Sequence, residues 1–95
     1  MSRAMNKLYE ATTETGSKKA GQALKAALLA RVESERNLFY ADKIVASNSG
    51  VVTARLGYAL PRGTATPTHI RELVDSVAYK AQIETGPIAV VRVAV

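Results

Sequence analysis

Apolar positions recur every three or four residues from Ser17 to Ser47, which is the spacing of one face of an α-helix. This stretch contains no proline, and its single glycine, Gly21, lies near the start. We therefore predict one helix over residues 17–47, about 45 Å long at a rise of about 1.5 Å per residue. A helix of this length is typical of a bundle, a coiled coil or a projecting arm, so we expect a partner, a second copy or a ligand along it.

Small residues form one strip of the predicted helix, beside a strip of larger apolar side chains. Small side chains let another backbone approach closely, although alanine is also simply the best helix former. We predict that the helix packs against a second helix, from this chain or from another. The predicted interface comprises Ala20, Ala23, Leu24, Ala27, Leu28, Ala30, Arg31, Val32, Glu35 and Phe39.

Three charged residues, Arg31, Glu35 and Asp42, lie within the apolar arc of this helix. Arg31 and Glu35 are four positions apart and can form an ion pair along the helix. In an interface, such a pair could fix the register of two helices. Alternatively, the helix bends near Asn37 and these side chains face water. The sequence supports both interpretations.

Basic residues form a third strip of the predicted helix, consisting of Lys18, Lys25, Arg36 and Lys43. Solvated charged faces are common on helices, and this is the structural interpretation. The functional interpretation is a row of contacts to nucleic-acid phosphates, which position a duplex without reading its sequence. The net charge of +5, from 13 basic and 8 acidic residues, favours polyanionic partners.

The segment before the long helix is predicted to form a short helix over residues 3–14. Gly16 suits a left-handed position after that helix, and Ser17 suits the N-cap of the next one. Residues 1–16 could equally form an arm that becomes ordered on binding. The helical spacing in this segment is shared by Met5, Leu8, Tyr9 and Thr12.

Residues 51–95 are predicted to form a strand–helix–strand unit. Strict alternation over Val51–Leu60 indicates a strand with one buried face. A helix follows from Pro67 to about Ile83, and a branched apolar strand covers 88–95. The apolar stripe of this helix consists of Ile70, Leu73, Val74, Val77, Ala78 and Ala81. The order suits a βαβ unit, and because two strands make a poor sheet, we expect oligomerisation to complete it.

The loop before the second helix is a candidate anion site. Ligands bind open α/β sheets at the carboxyl ends of strands, and a helix N-terminus offers unpaired N–H groups. Gly63 would let the backbone approach the anion, and Arg71 lies one turn into the helix. The same residue types also make an ordinary turn and helix cap, and no P-loop motif is present. The candidate ligands are Arg62, Thr64, Thr66, Thr68 and His69.

The composition narrows the classes of function. The chain has no cysteine and one histidine, which excludes a disulfide framework and a cysteine- or histidine-rich metal site. His69 and Glu72 share a helix face, but no activated nucleophile accompanies them, so we predict no enzyme, cofactor or small-molecule substrate. No apolar run is long enough to span a membrane, and the N-terminus lacks a secretory signal pattern. We expect a cytoplasmic protein, or one inside a particle assembled in the cytoplasm.

The predicted fold is therefore a single α+β domain over residues 1–95, with a long N-terminal helix and a strand–helix–strand unit. The first functional hypothesis is a non-enzymatic assembly or adaptor protein. It forms a homo-oligomer and binds another protein through its long helix and strand edges. The second is a basic module that contacts nucleic-acid phosphates through the long helix.

Overall fold

The structure is a computed structural model that describes residues 8–60, 63–64, 66–85 and 90–94. The structure contains two helices and a four-stranded antiparallel sheet, whose strands follow the order β2-β3-β1-β5. A short additional strand, β4, forms a hairpin with the end of β3. The α+β class is confirmed, but the predicted arrangement is wrong. The elements are β1 Tyr9–Glu14, α1 Lys18–Ser34, β2 Phe39–Ala46, β3 Val51–Leu60, β4 Gly63–Thr64, α2 Pro67–Thr85 and β5 Val90–Ala94.

The predicted 17–47 helix ends at Ser34, and residues 39–46 form β2 instead. The N–H of Glu35 still donates to Arg31, but a tight turn follows and the N–H of Phe39 donates to the Glu35 carbonyl at 2.9 Å. A β-bulge between Ala41 and Lys43 explains the error. The bulge adds one residue to the strand, so the core-facing positions step by two, then three, then two, which imitates helical spacing. Those positions are Phe39, Ala41, Ile44 and Ala46.

The predicted short helix over 3–14 is also wrong where the structure describes it, because residues 9–14 form β1. Alternate residues Tyr9, Ala11 and Thr13 are buried, which is the period of a strand. The segment is rich in threonine, a β-branched residue that favours strands. Residues 3–7 of the predicted helix lie outside the described residues.

The strand–helix–strand prediction is correct in its elements and wrong in its pairing. β3, α2 and β5 lie close to the predicted bounds, but β5 pairs with β1 and not with β3. β1 lies between β3 and β5 and is antiparallel to both. The chain therefore contains two split βαβ units in the order β-α-β-β-α-β, which is the ferredoxin-like arrangement. β1, for which the sequence pattern predicts a helix, occupies the place where direct pairing of β3 and β5 is expected.

The core lies between the sheet and the two helices. Val52, Ala54 and Leu56 of β3 are buried, which confirms the alternation predicted for that strand. α2 contributes the whole predicted stripe, from Ile70 to Ala81, and α1 contributes Ala20, Leu24 and Leu28. Both helices thus cover one face of the sheet, and the described residues place no helix over the other face.

A close contact between two turns fixes the start of α1. The backbone N–H of Thr15 donates to the Gly50 carbonyl at 3.1 Å, and the Thr15 hydroxyl lies 2.6 Å from the same oxygen. Gly50 has φ +91°, and a Cβ there would lie 2.7 Å from the backbone nitrogen of Ser17. Gly21 approaches so closely that its Cβ would lie 3.0 Å from the Cα of Gly50. The β1–α1 turn and the β2–β3 turn are therefore packed backbone to backbone.

Candidate functional site

Most of the predicted helix interface lies inside the chain. Ala20, Leu24, Leu28 and Phe39 are at most 2% exposed, so they form the core and are not accessible to a partner. Ala23, Ala27 and Val32 are half-buried on α1. The helix that α1 packs against is α2 of the same chain.

The seam between the two helices contains a shallow depression of about 360 Å³. Ala27 and Ala30 line it from α1, and Val77 and Lys80 line it from α2. Ala27 and Ala30 of the small-residue strip therefore face α2. Ala30 and Ser34, which also lines the depression, are the exposed members of the strip on α1.

Arg31 and Glu35 form the predicted ion pair, with each side chain 34% exposed. Glu35 is also the C-cap residue of α1, and the Arg31 guanidinium lies 6.0 Å from the centroid of the Phe39 ring. Such a stacked cation is attracted to the negative face of the ring. The pair stabilises the helix end and its turn, and the helix ends there without bending.

A second depression, of about 230 Å³, lies next to Arg31 at the start of α2. Phe39 and Leu73 supply its apolar lining, and the polar lining consists of Arg31, His69, Glu72 and Ser76. The imidazole of His69 is already engaged, because the backbone N–H of Thr66 donates to its Nδ1 at 3.0 Å. A neutral His69 that accepts at Nδ1 carries its proton on Nε2.

The start of α2 is a reciprocal cap. His69 accepts from Thr66 as described, the Thr66 hydroxyl accepts from the His69 backbone N–H at 3.4 Å, and the Ile70 N–H donates to the Thr66 carbonyl at 3.2 Å. This is a capping box in which histidine replaces the usual glutamate. Thr66 therefore caps the helix as predicted, and His69 has a structural role.

The structure describes only part of the rest of the predicted anion site. Thr64 is in β4, paired with Ala59 through the backbone, and Thr68 is exposed in the first turn of α2. Arg62 lies outside the described residues. The capping interpretation accounts for Thr66 and His69.

The predicted basic row is divided between two surfaces. Lys18 and Lys25 remain on α1, but Lys43 is on β2, on the sheet face opposite the helices. Arg36 lies beyond the end of α1 and pairs with Glu33 at 3.5 Å. The fourfold row depends on the predicted 17–47 helix and does not exist.

Lys19 is not part of the predicted basic row, because it lies about 100° around the helix from Lys18. It is exposed at the start of α1. The signal that could have found it is the run from Thr15 to Val32, which contains four basic residues and no acidic one.

The uncovered sheet face carries balanced charge. Arg55 pairs with Asp42 at 3.0 Å across β3 and β2, and Arg92 pairs with Glu14 at 3.3 Å across β5 and β1. A shallow depression of about 400 Å³ lies on this face, lined by Glu10, Lys43, Val45, Thr53 and Arg55. Among the described residues, three bases and three acids thus share the face, so it has no net attraction for an ion of either sign.

Tyr40 lies across Gly57 on β3, where a Cβ would lie 2.6 Å from the ring carbon Cζ. The two residues are directly opposite in the register of β2 and β3. An aromatic ring over a strand glycine replaces the missing side chain and covers the exposed backbone. The ring thereby ties β2 to β3 at the end of β2 that precedes the bulge.

The two outer strands of the sheet are β2 and β5. β2 has 8 residues and β5 has 5. Within the described part of the chain, no strand lies on the outer side of β2. Val45 of β2 is 44% exposed, which makes it one of the large apolar residues in contact with solvent.

Comparisons with protein-family models, with characterised proteins and with solved structures gave no significant match. Among the described residues, no helix has the length and apolarity to cross a membrane. The same residues contain no group of three or more histidine, cysteine or acidic side chains placed to hold a metal ion.

Proposed function

We propose that the protein is a non-enzymatic assembly protein, and that two copies join by antiparallel pairing of their β2 strands. The observation that carries this proposal is the outer side of β2 from Lys43 to Ala46, where no other described strand continues the sheet. The unpaired N–H and C=O groups of such an edge are a template for another strand. The 5-residue β5 offers a shorter edge.

The bulge at Asp42 limits how a second copy can pair. Bulges twist an edge strand and disrupt regular pairing at that position, so they protect edges from indiscriminate association. The bulge leaves two regular parts of β2, Phe39–Ala41 and the longer Lys43–Ala46. A two-fold axis within the longer part keeps the bulges of both copies away from the centre of the pairing, which restricts the possible registers to a few.

A two-fold axis at Ile44 gives the register that the charges favour. Residues directly opposite in an antiparallel pair lie on the same face, so Ile44 would face its own copy. Lys43 would then lie opposite Val45 of the second copy, and the two lysines would not meet. The product is a continuous eight-stranded sheet with all four helices on one side.

Charge changes at Val45 test this register with matched variants. Val45→Lys places a lysine against Lys43 of the other copy and should convert the dimer to a monomer. Val45→Glu places a carboxylate there and should lower the dimer dissociation constant. Mass is measured by light scattering after size exclusion over a concentration series, with thermal melting as the control for folding. A monomeric wild type, or equal behaviour of the two variants, would contradict the proposal.

Single cysteines test the position of the axis directly, because the chain contains no cysteine of its own. Ile44→Cys should form a disulfide-linked dimer under oxidising conditions. Tyr79→Cys is the control, since Tyr79 is 64% exposed on α2, away from the proposed interface. If both variants cross-link at the same rate, random collision explains the product and the proposed axis is wrong.

A further inference from the structure

The largest group of described basic residues outside ion pairs lies on one surface of α1, and the others, Lys43, Arg71 and Lys80, lie on β2 and α2. Lys18, Lys19 and Lys25 form no ion pair with any residue that the structure describes. The basic residues that do pair are Arg31, Arg36, Arg55 and Arg92. Since no acidic residue occurs between Thr15 and Val32, none lies on α1 within one turn of the three lysines.

The lysines are placed on the solvent side of α1. Lys18 and Lys19 are exposed, Gln22 is exposed between them and Lys25, and Lys25 is half-buried. Lys18 and Lys25 are two turns apart on one line, which separates them by about 10 Å along the axis. We call Lys18, Lys19, Gln22 and Lys25 the α1 lysine surface.

The fold gains nothing from the charges at the start of this surface. The first turn of a helix carries a partial positive charge, so cations there are unfavourable. The first turn of α1 contains no acidic residue and two lysines, while the Ser17 hydroxyl already accepts the Ala20 N–H at 3.1 Å. The lysines raise the electrostatic potential at a place where it is already positive. A polyanion would be attracted to such a surface.

We propose that the α1 lysine surface binds the phosphodiester backbone of a nucleic acid. An anionic membrane is the other extended polyanion, but a helix that lies on a membrane must insert an apolar face. The apolar face of α1 is committed to the core, since Leu24 and Leu28 are at most 1% exposed. Leu29, at 48%, is the large apolar side chain that remains near the lysines. The α1 lysine surface therefore carries charge but has no apolar face to insert into a membrane. Contact with phosphates needs only the charge.

Binding of this kind is independent of base sequence. Lysine contacts phosphate as a point charge, and phosphate contacts position a protein without reading bases. In the dimer proposed above, both α1 helices lie on the same side of the sheet, so two lysine surfaces face one direction. The nucleic-acid proposal does not require the dimer, because each surface is complete within one copy.

The salt dependence of binding measures the number of phosphates engaged. We expect the protein to bind a fluorescent duplex DNA and a single-stranded RNA of mixed sequence in fluorescence anisotropy. Three contacts predict a slope of log affinity against log salt of about −2.7 for the duplex and about −2.1 for the single strand. A salt-independent affinity, or no binding to either probe at about 50 mM salt, would overturn the proposal.

Matched double variants locate the surface. Lys18→Gln with Lys25→Gln should reduce the duplex slope by about 2 and weaken binding about tenfold or more at low salt. Arg71→Gln with Lys80→Gln removes the same charge from α2 and should leave the slope unchanged. Equal losses in the two double variants would show that net charge and not this surface binds DNA, which would overturn the proposal.

Two further measurements distinguish nucleic-acid binding from membrane binding and from the assembly proposed above. Vesicles of phosphatidylcholine with anionic phosphatidylserine should not displace the duplex, and displacement would indicate a membrane surface in place of a nucleic-acid surface. The Val45→Lys variant should retain the salt slope per chain even when it is monomeric. The assembly proposal can therefore fail while this one stands, and the reverse also holds.

Discussion

The two helices pack on the same face of the same sheet, yet they are held there in different ways. α2 has 19 residues, and six apolar side chains among those whose burial the structure describes form one buried stripe from Ile70 to Ala81. α1 has 17 residues and buries two large side chains, Leu24 and Leu28, with Ala20 and Gly21 beside them. α2 is held mainly by the burial of large apolar side chains. α1 is held mainly by small residues that let its backbone approach the rest of the fold closely.

The starts of the two helices also differ, because one is fixed by local contacts and the other by a distant turn. α2 begins with a local cap in which Thr66 and His69 bond reciprocally. α1 begins with Ser17 as a cap, but its position depends on a distant turn at Gly50, and two lysines follow. The fold around the start of α1 fixes its position even though the lysines there are unfavourable. These lysines can therefore be presented to a partner. This difference is why we assign the interaction surface to α1.

The largest effect is expected at Gly50, on which the start of α1 depends. Gly50→Ala combines a left-handed backbone with a clash against Ser17 and Thr15, and should cost about 2–4 kcal/mol. Gly16→Ala is the matched control, because Gly16 has φ +84° but no atom of another segment within 4 Å of the position that a Cβ would take. It should cost about 1–2 kcal/mol. Urea unfolding measures both, and equal costs would show that the contact with the distant turn does not hold α1.

A smaller effect is expected at the start of α2. His69→Ala removes the acceptor for the Thr66 N–H and should cost about 1 kcal/mol, which is a fall in Tm of about 4–8 °C for a domain of this size. His69→Glu restores a conventional capping box and should retain the wild-type Tm or exceed it. If His69→Glu melts like His69→Ala, the local cap does not define the start of α2.

The smallest effect, and the one of opposite sign, is expected at the first residue of α1. Lys18→Glu replaces an unfavourable charge at the helix N-terminus with a favourable one and should raise the free energy of unfolding by about 0.3–1 kcal/mol. Lys25→Glu is the control, because it lies beyond the first turn, where the effect of the helix dipole is weak. A gain at both positions would indicate general relief of positive charge, and a loss at Lys18 would show that the lysine stabilises the fold.

Local patterns predict those parts of the fold whose pattern is not interrupted. β3 and α2 are predicted with nearly correct bounds, because the alternation around Val52 and the stripe from Ile70 are regular. β2 escapes prediction because one bulge residue, Asp42, changes a period of two into an apparent helical period. β1 escapes it because its residues satisfy both periods over a short length. Strand order is beyond local patterns altogether, since it depends on contacts between distant segments.

The candidate surfaces are predictable to the same extent. The Arg31–Glu35 pair and the shared line of Lys18 and Lys25 follow from helical spacing alone, and both lie within the part of the predicted helix that is helical. Lys43 joins the predicted row only because the pattern of β2 imitates a helix. The edge of β2 cannot be found from the sequence without that strand.

The central position of β1 also bears on synthesis of the chain. The residues of β1 are synthesised before those of the other strands, but both strands that pair with β1, namely β3 and β5, come from later parts of the chain. β2 likewise pairs with β3. While the chain emerges from the ribosome, no ladder of the sheet can form until β3 is available, and the last ladder waits for β5. Long-range pairing of this kind slows folding, so the finished sheet, and not its growing N-terminal half, is the unit that folds.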